Sequence, residues 1–208
     1  MNRLPALAAA LLSLTACNAL TGPREIIGSE TQQWRIAATG GDRIRLRDWR
    51  TAFIEALAKA RAGGHGTAIA AEGALLSPDA GIVGVPIPNG DYRCRVIKLG
   101  AKQSGLLDYV AYPAFTCRIQ PEKGLQGFAK MSGSQRPVGM IFPGDSMRQV
   151  FLGTLVLGDE KRAMQYGRDP DRDLSAFVEK IGPRRWRMVF PRPAFESTLD
   201  VIELIPAS

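Results

Sequence analysis

The chain has a single histidine, His65 in Gly63-Gly64-His65-Gly66, and any Ser-His-acid triad would have to be built around it. A triad also needs a presented nucleophile, and the sequence contains no Gly-x-Ser-x-Gly elbow to supply one. A histidine on a Gly-rich turn after a helix has a plainer use, because positive charge at a helix C-terminus complements the macrodipole. The same scarcity argues against zinc, whose sites draw on several His or Cys ligands. Neither a metal nor a cofactor is expected.

The acids are more numerous but poorly arranged for catalysis. Asp169, Asp171 and Asp173 lie close enough in sequence to suggest calcium, yet the run lacks the Gly and terminal Glu of an EF-hand loop. Its Arg168 and Arg172 would repel a cation, so the run reads as acids opening a helix. Glu196, Asp200 and Glu203 invite comparison with the paired carboxylates of glycosidases. On one strand Glu196 and Asp200 would share a face about 13 Å apart, beyond either glycosidase spacing, with Glu203 on the other face. An exposed strand face is the expectation there.

The beginning of the chain carries an address. Arg3 precedes the apolar run Leu4 to Leu12, and Ser13-Leu14-Thr15-Ala16 leads directly to Cys17. This is the three-part form of a signal peptide, and its apolar core falls short of the roughly 20 residues that span a bilayer. Leu14-Thr15-Ala16-Cys17 resembles the lipobox of bacterial lipoproteins, in which the Cys becomes the lipidated first mature residue. That resemblance implies lipidation of Cys17 and a membrane anchor. Asn18, in place of the Asp of an inner-membrane retention signal, implies the periplasmic face of the outer membrane. With Cys17 assigned to lipid, Cys94 and Cys117 remain as an even pair in an oxidising compartment, where a disulfide is expected.

The formal net charge is +7, and its arginines are scattered among a comparable number of acids. Nucleic-acid binding needs clustered charge on one face and is not expected. One local cluster stands out. Arg93 and Arg95 share a strand face, and pairing of Cys94 with Cys117 would bring Arg118 to that face. Three guanidinium groups there would form a possible anion-binding patch for carboxylate or phosphate. The alternative is a solvated outer face with acidic neighbours.

The elements that must position these residues follow from periodicity. Residues 17–38 read as a lipidated tether and 39–208 as one globular domain, with a helical part at 39–83 and a β-rich part at 91–208. Thr39 and Asp42 have the form of a capping box, and Leu46, Trp49, Phe53, Leu57 and Ala60 form one helical stripe that Gly63-Gly64 ends. A short helical turn is expected over Thr67 to Glu72. The Pro- and Gly-rich stretch from Gly84 to Gly90 reads as a linker. Strands are expected over Tyr92–Leu99, Ala114–Ile119, Gly127–Met131, Val138–Phe142, Gln149–Leu157, Trp186–Phe190 and Leu199–Ile205. One helix, Asp171 to Ile181, is expected before the last strands, because Leu174, Phe177, Val178 and Ile181 share a helical face. The fold class is α+β, an antiparallel β-meander forming a barrel-like or sandwich sheet with an N-terminal helical layer.

Gly90-Asp91-Tyr92-Arg93-Cys94-Arg95-Val96-Ile97-Lys98-Leu99-Gly100, Gly133-Ser134-Gln135-Arg136-Pro137-Val138-Gly139, Ile181-Gly182-Pro183-Arg184-Arg185-Trp186-Arg187 and the stretch from Pro193 to Leu204 resemble the bacterial family catalogued as domain of unknown function 4893. The resemblance runs from about Trp34 to the C-terminus. It implies an exported bacterial protein and brings no activity, cofactor or functional residue. The expected function is a non-enzymatic periplasmic binding or envelope-associated module that contacts a small anionic ligand, a cell-wall polymer or an envelope protein. The alternatives are an envelope hydrolase using His65 or a carboxylate, and a protein-binding assembly or inhibitor module.

Overall fold

The structure, a computed structural model, describes Ile27 and residues 31–207. The expected signal peptide and Cys17 lie outside the described residues. Helices come first: α1 (Trp34–Ala37), α2 (Gly40–Arg47), α3 (Trp49–Ala62) and α4 (Gly66–Ala71), followed by a 3₁₀ turn at Gly73–Leu76. Nine strands follow: β1 (Gly90–Ala101), β2 (Tyr109–Ala111), β3 (Phe115–Glu122), β4 (Leu125–Lys130), β5 (Gln135–Phe142), β6 (Arg148–Leu157), β7 (Asp173–Gly182), β8 (Arg185–Pro191) and β9 (Ser197–Pro206).

Each strand from β3 to β9 pairs antiparallel with the next, and β9 returns to pair with β1 along nearly its whole length. The sheet is therefore a closed eight-stranded barrel, in which β1 pairs with β3 through residues 90–94 and with the extra strand β2 through 97–99. Closure removes the free edges that an open sheet would expose. Eight strands enclose a space that side chains can just fill or that holds one small ligand. The inward side chains do most of the filling: Phe128, Phe151 and Phe190 meet edge to face at 5.6 and 5.7 Å, and Tyr92 meets Trp186 at 6.4 Å. Gly139 and Gly153 face each other across β5 and β6, where a Cβ on Gly153 would lie 2.6 Å from the Phe151 ring. The missing side chains make room for that ring.

Cys94 and Cys117 form the expected disulfide inside the barrel, linking β1 to β3 with Cα atoms 5.8 Å apart. Ile87, on the stretch expected to be a linker, is instead fully buried in one end of the barrel. Its N–H donates to Gln149 Oε1 at 2.8 Å and its carbonyl accepts from Gln126 Nε2 at 2.7 Å, while Gln149 Nε2 donates to Gln126 Oε1 at 2.9 Å. This small amide ring satisfies the polar backbone that accompanies the plug.

The helical layer covers the outer wall. Thr39 Oγ1 accepts from the Asp42 N–H, as the capping box requires, and Asp42 also accepts a bond from Tyr166 at 2.5 Å. The single expected helix divides at Asp48, with Leu46 packing beside Met140 and Leu152 while Phe53, Ala56 and Leu57 pack on Ile97, Val189 and Val201. A straight helix cannot follow a curved wall, and the break lets two short ones do so. Ala38 and Ile27, from the expected tether, are also buried beside Leu46.

The expected helix from Asp171 to Ile181 is corrected to strand β7. Leu174, Ala176 and Val178 point into the barrel, while Phe177 and Ile181 pack outward against the helical layer. A strand buried on both faces carries apolar residues at both parities, and that pattern overlaps the helical period. The acidic run before it is a turn, in which the Asp171 N–H donates to Asp169 Oδ1 and the Gly167 N–H to Asp173 Oδ1.

Candidate functional site

One end of the barrel is plugged by Ile87, and the other is not. Beneath the loops 192–196 and 131–134 lies a cavity of about 150 Å³. Its floor is apolar, formed by Val96, Leu155, Leu174, Phe190 and Ile202. A cavity of this size holds a group about as large as benzene.

The polar wall is built by strand register. Lys98 and Asp200 are direct partners across β1 and β9, both on inward positions. Glu196 precedes β9 at φ 64°, a left-handed conformation that turns its side chain back over the mouth. As a result Lys98 Nζ lies 3.0 Å from Asp200 and 3.1 Å from Glu196, which places the two carboxylates within about 6 Å of each other. The expectation of two acids about 13 Å apart along one exposed strand is corrected, because Glu196 is not on the strand. Asp200 also accepts from Ser197 Oγ, and Glu196 accepts from Gln135 Nε2 at 3.2 Å. Burial opposes the charge on Lys98, but the two carboxylates outweigh it and raise its pKa.

Lys130, at the end of β4, differs sharply from Lys98. It is 5 % exposed and lines the same cavity, with Nζ donating to the main-chain carbonyls of Ser132 at 2.6 Å and Gln135 at 3.0 Å. It stands 3.7 Å over the Phe115 ring and, among the described residues, forms no bridge to a carboxylate. Burial, aided by the charges of Arg136 and Lys98, lowers its pKa to about 8. Neither lysine was singled out from the sequence. The signal available was parity: Lys98 continues the inward series Tyr92, Cys94 and Val96, and a lysine on an otherwise apolar face must find partners or lose its charge.

The other sequence candidates lie on the outside of the barrel. Arg95 pairs with Glu72 at 2.5 Å and Glu203 at 3.0 Å, Arg118 pairs with Asp91 at 2.7 Å, and Arg93 is exposed. Two of the three guanidinium groups thus engage acids of the chain itself. His65 stacks on Tyr109 with ring centroids 5.6 Å apart, away from the cavity lining. Tyr109 donates to Glu72 at 3.1 Å, tying that stack into the outer ion-pair network. The outer wall also holds Arg187 and Glu179, both fully buried and paired at 2.7 Å. Arg187 further donates to the carbonyls of Ala74, Leu75, Ser77 and Pro78, which clamps the 3₁₀ turn to β8.

Comparison with curated proteins and with solved structures finds no match to either. A family model does match, described as domain of unknown function (DUF4893), and it covers residues 34–204. That span contains the whole barrel wall up to Leu204 and every residue of the cavity. The chain belongs to the DUF4893 family.

Proposed function

We propose that the chain is a non-enzymatic binding module of the bacterial envelope, anchored through lipid on Cys17, that receives a small molecule in the open mouth of the barrel. The observation that carries the reading is the asymmetry of the interior. One end is sealed by Ile87 and the middle is filled by aromatic rings, while the other end keeps a ring-sized space with an apolar floor and convergent polar groups. Sites of that character are the usual places for small-molecule binding. The ligand would place an apolar body on Val96, Leu174 and Ile202 and an oxygen-bearing head beside Lys98, Lys130 and Gln135. The buried disulfide suits an oxidising compartment, in keeping with the address at the start of the chain.

Benzyl alcohol, one ring with a hydroxyl head, is a suitable probe. Followed by NMR, it should shift the methyl resonances of Val96, Leu155, Leu174 and Ile202 saturably. Leu174→Trp should remove the effect by filling the cavity while the protein stays folded. Shifts scattered over the surface, or unchanged in the Trp variant, would overturn the reading. The anchor has its own check: Cys17→Ser should abolish incorporation of labelled palmitate and release the protein from membranes, and retention of both signals would refute it.

A further inference from the structure

We infer that Lys130 is a carbonyl-reactive amine, and that the mouth of the barrel takes a small aldehyde or ketone and holds it as an imine on Lys130 Nζ. The inference rests on the binding role proposed for the cavity and names its ligand class. Three geometric observations lead to it.

The first is hydrogen-bond stoichiometry. A neutral amine has two N–H bonds and one lone pair, whereas an ammonium has three N–H bonds and none. Among the described residues, Lys130 Nζ has two acceptors, the carbonyls of Ser132 and Gln135, and no carboxylate bridge. The two carbonyls satisfy both N–H bonds of the amine form, and the ammonium form has the Phe115 face alone for its third. The second is placement. Lys130 is buried, yet it lines the same cavity as Leu174 and Ile202, so a ring seated on those two can bring a carbonyl carbon into the space that Lys130 borders. The third is charge balance. Lys98 engages both Glu196 and Asp200, and Asp171 stands exposed on the lip, so an anionic ligand would meet three carboxylates at the mouth. A neutral carbonyl compound meets no such repulsion.

The step balances without any further reagent. The amine attacks the carbonyl carbon, the C–O bond breaks, and the oxygen leaves as water with two hydrogens, counted from the ammonium form. The product is a protonated imine carrying the same single positive charge. It keeps one N–H for one of the two carbonyls, and the Phe115 face beneath it favours the cation. The lowered pKa of about 8 adds to this. At neutral pH roughly a tenth of Lys130 is free amine, against well under a thousandth of a lysine titrating at 10.5. Lower basicity also weakens a nucleophile, so the net advantage is on the order of tenfold.

The test uses the full-length protein with benzaldehyde and sodium cyanoborohydride, which reduces an imine to a stable benzylamine, followed by peptide mass mapping. At pH 7 Lys130 should be benzylated at least about tenfold faster than the exposed Lys123 and Lys161, with a rate that levels off above pH 8. Benzyl alcohol should compete. Lys130→Arg, which keeps a cation but cannot form an imine, should lose the fast phase while Lys123 and Lys161 are benzylated at the wild-type rate. Labelling spread over surface lysines with Lys130 spared would overturn the inference. If benzyl alcohol shifts the cavity resonances in that case, the binding reading survives alone; if it does not, both fall.

Discussion

Lys98 and Lys130 are the same residue type in the same cavity, and their partners drive them in opposite directions. Two carboxylates hold the first as an ammonium, and two neutral carbonyls leave the second close to releasing its proton. Arg187 is a third solution to a buried cation. It is 0 % exposed, faces the equally buried Glu179, and donates to four carbonyls. A guanidinium presents five donors in a fixed fork, so it can close several backbone acceptors at once as a lysine cannot. Replacing it with alanine leaves the buried Glu179 with Arg148 as its remaining partner, at 2.6 Å, and removes the donor from the carbonyls of Ala74, Leu75, Ser77 and Pro78. Arg187→Ala should cost about 3–5 kcal/mol in denaturant unfolding, and a loss below about 1 kcal/mol would show that water replaces the clamp. None of these three environments was legible in the sequence, where each residue is one of 27 basic side chains and its partners lie far along the chain.

Among the elements, the junction of α4 with the barrel is set by charge. Glu72 caps α4 and accepts both guanidinium nitrogens of Arg95 from β1. Those bonds hold its carboxyl below the usual carboxylate value, against the opposing effect of burial. A carboxyl depressed in the folded state stabilises the protein above its unfolded pKa and loses that contribution as pH falls through the folded value. The wild type should therefore lose stability as the pH drops below about 4.5, and Glu72→Gln should flatten that limb while lowering stability at pH 7. Urea unfolding at a series of pH values reads both effects; parallel curves for the two proteins would refute the role. The sequence located α2 and α3 as one helical stripe, α4 as a short turn, and seven of the strands as runs of β-branched and aromatic residues between turn signals. It misassigned β7, whose two covered faces blur the period of two, and it missed β2, whose three residues are too few to show a period.

The whole molecule is a barrel whose interior is divided between packing and space. The disulfide lies in that interior, joins the neighbouring strands β1 and β3, and restricts the unfolded chain by a loop with sequence separation 23. Replacing Cys94 and Cys117 together with alanine should lower stability by about 3 kcal/mol, measured by thermal or urea unfolding under non-reducing conditions, and an unchanged midpoint would refute the estimate. The amino-acid sequence by itself determined the cysteine pairing, the β-rich class and the helical layer, because these follow from local composition and short periods. Only the tertiary structure decided that the sheet closes, that Ile87 seals one end, and that Lys98, Lys130, Glu196 and Asp200 meet at the other. Those outcomes depend on register: β1 must meet β9 with Lys98 opposite Asp200, and the turn at Glu196 must reverse the chain. Register is fixed by the simultaneous packing of all eight strands, so no single segment carries it.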